Sequence, residues 1–127
     1  MRSAVVLDET PEDRALIAVA LLGSGFEVLE AATDEEALDL AHRSAPALII
    51  ANPLLAGMDG DEFVLALRAD PVIGETPVVF CATAEDEREV WSLAEACDVA
   101  HILIKPCDPR AIARFVGEIL GPDPHER

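Results

Sequence analysis

Apolar residues along the chain gather in five short runs, separated by stretches where apolar and polar positions alternate at helical spacing. The runs are Ala4-Val5-Val6-Leu7, Phe26-Glu27-Val28-Leu29-Glu30, Leu48-Ile49-Ile50-Ala51, Pro77-Val78-Val79-Phe80-Cys81 and His101-Ile102-Leu103-Ile104. Four of them are nearly continuous, as parallel strands covered on both faces are. The second carries Glu27 and Glu30 and suits an edge strand with one wetter face.

Helices are predicted between the runs. The first spans Pro11 to Leu22, with Thr10 as N-cap, proline at the first helical position and Gly23 as the stop. Thr33-Asp34-Glu35-Glu36 forms a capping box, which opens a second helix that ends before Pro46. A third covers Asp61 to Ala69 after an Asp59-Gly60 turn, with Phe63, Leu67 and either Val64 or Ala66 facing inward. A fourth covers about Glu85 to Ala96 and turns Val90, Leu93, Ala94 and Cys97 toward the core. Asp108-Pro109 caps and starts a fifth, which runs to Leu120 and stops at Gly121-Pro122.

Strict strand–helix alternation demands a parallel sheet with right-handed crossovers. The predicted class is α/β, a flavodoxin-like (βα)5 three-layer sandwich whose five-stranded parallel sheet has the order 2-1-3-4-5. Function in such a layout sits beyond the carboxyl ends of the strands. A chain of 127 residues makes one domain, 1–127, with its core at about 4–120 and no output domain expected.

Charge narrows the partners. There are 25 acidic residues against 9 basic ones, net −16, with an isoelectric point of about 4.2. Such a field repels phosphate backbones and anionic lipid, so neither nucleic acid nor membrane is an expected partner, whereas basic protein surfaces are. No apolar run reaches the length of a membrane-spanning helix and no signal peptide is visible, so the expected location is the cytoplasm. Cys81, Cys97 and Cys107 are odd in number and lack metal-ligand spacing; they read as reduced thiols.

The strand ends hold the chemistry. The first strand delivers Asp8-Glu9, the third Asn52, the fourth Ala82-Thr83 and the fifth Lys105-Pro106. Two adjacent carboxylates opposite a lysine make a site for a hard cation and a phosphoryl group.

In these residues the chain resembles the receiver domain of response regulators, a CheY-like family, over nearly all of Ala4 to Leu120. Asp8-Glu9 lies over the family's acidic pair. Asn52-Pro53-Leu54-Leu55-Ala56-Gly57-Met58-Asp59-Gly60 lies over its phosphoacceptor loop, and Ile104-Lys105-Pro106 over the end of its fifth strand. Arg68-Ala69-Asp70-Pro71 and Thr76-Pro77 match as well. The resemblance implies two-component signalling: a histidine kinase partner, Mg²⁺ at Asp8 and Glu9, a phosphorylated aspartate, a gripping Ser/Thr hydroxyl and a switch aromatic. It also implies a cis peptide before Pro106.

The sequence departs from that scheme where the chemistry is done. Asn52 stands at the phosphoacceptor position, and a carboxamide cannot form an acyl phosphate. Pro53 removes a backbone donor, and Ala56 replaces the loop's usual proline. The hydroxyl position falls on Ala82 counting from Pro77 or on Thr83 counting from Lys105; Ala82 is preferred, which leaves Thr83 to cap the fourth helix. Ile102 holds the place of the switch aromatic. Lys105 is expected to bond Asp8 and the Asn52 carbonyl, and Mg²⁺ to bind weakly and not be required.

The expectation is a stand-alone pseudo-receiver that works by protein–protein interaction with a histidine kinase or another signalling protein. Its contacts would form through the first helix or the face made by the fourth helix, fifth strand and fifth helix, where homodimers could also form. Trp91 reads either as partly exposed near the fifth strand or as half-buried against the fourth helix; His42 and His125 read as surface histidines, and His101 as a partly exposed start of the fifth strand. Two other readings stand beside it: phosphorylation of a substitute carboxylate, Asp8 or Asp59, and a small flavodoxin-like enzyme. The enzyme reading is disfavoured because Gly23-Ser24-Gly25 lies between a helix and a strand, the wrong context for a phosphate loop.

Overall fold

The apolar runs assemble into one parallel sheet. A computed structural model of the chain describes residues 2–54 and 60–121. Its strands are β1 (Ser3–Leu7), β2 (Glu27–Ala31), β3 (Leu48–Ala51), β4 (Val78–Thr83) and β5 (His101–Lys105). The helices are α1 (Pro11–Gly23), α2 (Asp34–Ser44), α3 (Gly60–Ala69), α4 (Glu87–Cys97) and α5 (Pro109–Leu120). The sheet order is β2-β1-β3-β4-β5, so β1 and β3 lie inside it and β2 lies at an edge, as its glutamates require. Both glutamates of β2 are exposed.

Alternation along each strand sends side chains into two cores. Val5, Leu7, Ile49, Ala51, Phe80 and Ala82 pack beneath α2, α3 and α4 with Phe63, Leu67 and Val90. Their neighbours Ala4, Val6, Ile50 and Cys81 pack on the opposite face against Ile17 and Leu21 of α1 and Ile112 and Val116 of α5. Each such large side chain withdrawn from water contributes roughly 1.5–3 kcal/mol before conformational entropy is charged against it.

Local signals place the helix ends. Thr33 Oγ1 accepts from Glu36 N–H at 3.2 Å, while Glu36 Oε1 accepts from Ala32 N–H at 2.8 Å. The capping box is therefore present, with its return bond shifted one residue upstream. Asp108 Oδ1 accepts from Arg110 N–H at 2.8 Å and starts α5 ahead of Pro109. In α3, Phe63, Val64 and Leu67 are buried, which settles the inward face on Val64.

Several boundaries differ from expectation by one or two residues. α1 includes Gly23 and ends at Ser24, because an unstrained glycine can close the last turn. β4 runs on to Thr83, because its partner β5 continues pairing as far as Lys105. α4 begins at Glu87, not Glu85, since Ala84–Asp86 wind into a tighter 3-10 turn first. Ala56, Asp59 and His125 lie outside the described residues. No helix among the described residues is long and apolar enough to cross a membrane.

Candidate functional site

β1 delivers Asp8 to the carboxyl edge between two neighbours. Asp8 N–H donates to Ala31 O at 3.1 Å, and the Leu7 carbonyl accepts from Asn52 N–H at 2.9 Å. Both residues thus continue backbone ladders past the strand ends. Asp8 Oδ1 accepts from Thr10 N–H at 2.9 Å, a turn that leads into α1. Asp8 therefore organises this helix start; the Thr10 side chain makes no capping hydrogen bond. Arg14 Nη1 donates to the Asp8 carbonyl at 2.8 Å, and its Nε pairs with Glu30 Oε1 at 3.2 Å.

Lys105 ends β5 and turns its ammonium into this acidic corner. Nζ lies 2.6 Å from Asp8 Oδ2 and 2.9 Å from Asp13 Oδ2. The Asn52 carbonyl was the expected second partner; Asp13 takes that place. The physical reason is charge: a carboxylate in the first turn of α1 is a stronger acceptor for an ammonium than a neutral carbonyl. Sequence reading missed Asp13, whose only signal was an acid three residues past the cap of a helix opening beside Asp8. Burial alone would disfavour the Lys105 ammonium, yet Asp8 and Asp13 together outweigh it and hold its pKa above the ordinary 10.5.

Asn52 is half-buried, and its Oδ1 accepts from Leu54 N–H at 3.0 Å. Pro53 is buried against Gly60, the first residue of α3. Glu9 is exposed at the rim. Among the described residues no group of three His, Cys, Asp or Glu side chains converges as a metal centre would require. Asp8 Oδ2 is buried without a well-directed hydrogen bond, but the Lys105 ammonium already sits against it. Asp8 and Glu9 are the carboxylates that would hold a Mg²⁺ here, and the Lys105 ammonium, 2.6 Å from Asp8 Oδ2, competes with it for Asp8.

The two positions weighed for a hydroxyl have different fates. Ala82 is buried opposite Ile104, with its methyl in the core under α2–α4. Thr83 is exposed opposite Lys105, and its hydroxyl donates to Asp86 Oδ2 at 3.1 Å. Thr83 occupies the cap position of the 3-10 turn, not of α4 itself. Ile102 lies opposite Phe80 and packs against the core under α4, so no ring stands at that point of β5. The Lys105-Pro106 peptide is cis.

Other expectations meet definite surroundings. Trp91 is exposed and borders a surface hollow with Ala84, Glu85, Glu87 and Arg88. His101 is exposed, its ring edge-on to Phe115 at 5.3 Å. His42 is a surface histidine with a partner: Nδ1 lies 2.6 Å from Asp70 Oδ2, tying α2 to the segment after α3. That contact holds Asp70 below its ordinary 3.8.

The model of the response regulator receiver domain family matches residues 4–116. The chain belongs to that family. As a receiver domain it is a module of two-component signalling. This receiver is 32% identical over 112 residues to a 14.6 kDa protein of Leptolyngbya boryana, covering 88% of this chain and 85% of that one. It is also 32% identical over 121 residues to response regulator Rre1 of Synechocystis sp., covering 94% of this chain. The receiver spans 52% of Rre1, about half of that relative's length. The chemotaxis response regulator CheY4 of Vibrio cholerae shares the fold with a TM-score of 0.83 at 26% identity, over 94% of this receiver and 99% of CheY4.

Proposed function

We propose that this receiver signals as a pseudo-receiver, an interaction module that carries no phosphoryl group at position 52. The observation that carries the reading is the pairing of a non-nucleophilic carboxamide at Asn52 with a Lys105 ammonium already held by Asp8 and Asp13. In a receiver that accepts phosphate, that ammonium is the charge available to neutralise the incoming group. Here it is spent on resident carboxylates. Ala82 adds no hydroxyl, and Thr83 has given its own to Asp86. Mg²⁺ is not required by this reading and binds weakly at Asp8 and Glu9.

The proposed partner is a histidine kinase or another cytoplasmic signalling protein, and the receiver is assigned no enzymatic activity. Net charge −16 favours a partner with a basic patch and makes the association salt-sensitive. Two faces are available to a partner or to a second copy. α1 exposes Leu16, Val19 and Leu22, and α4 exposes Trp91 on the α4–β5–α5 face.

The deciding experiment is intact mass spectrometry after incubation with acetyl phosphate and Mg²⁺, followed by peptide mapping. An unchanged mass supports the pseudo-receiver. A phosphoryl group mapped to Asp8, Asp59 or another aspartate overturns it in favour of a substitute acceptor.

A further inference from the structure

Two of the three cysteines, assigned no joint role by the sequence, meet in space. Cys81, in β4, is 1% exposed; Cys107 follows the cis Pro106 and is partly exposed. Their sulfurs lie 3.6 Å apart, and Cys107 Sγ is also 3.8 Å from the Ile104 carbonyl. A small crevice lined by Asp13, Leu16, Ile17, Lys105, Pro106 and Cys107 opens beside the outer thiol. Both thiols are free.

We propose that Cys81 and Cys107 are a thiol–disulfide switch, with Cys107 the peroxide-reactive thiol and Cys81 the resolving one. The pair is asymmetric in access, which fixes the roles: only Cys107 borders the crevice. It is asymmetric in acidity too. The hydrogen bond from Cys81, helped by the nearby Lys105 charge, outweighs burial and lowers the Cys107 pKa, while the same contact and burial raise that of Cys81. A thiolate-prone, reachable cysteine beside a buried partner is the arrangement of a redox-sensing pair.

The chemistry balances with a hydroperoxide as the oxidant. The Cys107 thiolate attacks one peroxide oxygen, the O–O bond breaks, and hydroxide leaves with the proton the thiol had released, as water. Cys81 sulfur then attacks the Cys107 sulfenic sulfur; the S–O bond breaks, and the Cys81 proton leaves with the hydroxyl as a second water. Two thiols and one hydrogen peroxide become one disulfide and two waters. Bonding requires the sulfurs to close by about 1.6 Å, to about 2.0 Å, and Cys107 sits in the connection between β5 and α5, where the chain can follow.

The consequence falls on the signalling edge. A bond from Cys107 to β4 would pin Lys105-Pro106-Cys107-Asp108, and with it the start of α5, to the strand that carries Ala82 and Thr83. Oxidation would thereby set the α4–β5–α5 surface without any phosphoryl group. This assignment does not depend on the state of Asn52.

The test is oxidation of the reduced, purified chain with a small excess of hydrogen peroxide, alkylation of remaining thiols, and non-reducing peptide mapping. The expected product is two hydrogens lighter, carries a Cys81–Cys107 link, leaves only Cys97 alkylated, and reverts with dithiothreitol. Cys97→Ser should give the same link. Cys81→Ser should instead accumulate a sulfenic acid on Cys107 that dimedone captures. Three alkylatable thiols after full oxidation of a glutathione control would overturn the proposal. So would oxygen added to Cys107 while wild-type Cys81 stays alkylatable, or first oxidation at Cys97. The wild-type map decides even if the Cys81 variant fails to fold.

Discussion

The ammonium of Lys105 lies 2.9 Å from the carboxylate of Asp13, 92 residues away in sequence, with the buried Asp8 completing the corner. This clamp joins the last strand to the first helix across the functional edge of the sheet.

Removing the lysine should therefore cost much more than removing its outer partner. Lys105→Met leaves Asp8, 1% exposed, as an uncompensated buried charge, a loss of about 3 kcal/mol or more. Asp13 is 35% exposed, so Asp13→Asn should cost no more than about 1 kcal/mol. Urea denaturation of the two variants checks this. Equal losses would mean that Asp13 and Asp8 share the charge evenly.

The same clamp sets an alkaline limit. The Lys105 pKa is raised above 10.5, so its contribution is fully present below that value and is lost as pH climbs through the higher folded value. Urea midpoints followed through pH about 10 to 12 should fall more steeply for wild type than for Lys105→Met. Parallel slopes would show that the lysine titrates normally.

Gly60 and Gly117 make a matched pair of helix glycines. A Cβ on Gly60 would lie 2.7 Å from Pro53 Cβ and from Leu93 Cδ2, and 2.9 Å from the Pro53 carbonyl oxygen. Nothing stands within 4 Å of one on Gly117. Gly117→Ala should stabilise the protein by about 0.5–1 kcal/mol, the ordinary gain in a helix. Gly60→Ala should destabilise it by about 1–3 kcal/mol, because backbone beside Asn52 must shift. Thermal melts of both variants check the opposite signs.

Asn52→Asp alone should restore little phosphorylation. The new carboxylate would still face a Lys105 held by two acids, a Pro53 with no N–H and an Ala82 with no hydroxyl. Each missing contact to a transferring phosphoryl group is worth roughly tenfold or more in rate. Rapid labelling of the single mutant by acetyl phosphate would show that the pocket is intact apart from Asn52.

The run-and-helix pattern alone was enough to specify five parallel strands, their order, the edge position of β2, the capping box at Thr33 and the Asp108 cap. The elements and caps are properties of periodicity and short-range hydrogen bonding, and the parallel order follows from the crossover rules for alternating strands and helices. The residues gathered at the strand ends were legible for the same reason: a doubly wound sheet sends every strand's carboxyl end to one edge. Which side chains then touch was not legible. Asp13 displaced the Asn52 carbonyl at Lys105, the Asp8 carboxylate accepted from the Thr10 N–H at the start of α1 while Thr10 kept the cap position, and Cys81 met Cys107 across 26 residues. Such pairings depend on ångström-scale placement of elements distant in sequence, where charge and burial compete for each group, and only the packed tertiary structure decides that competition.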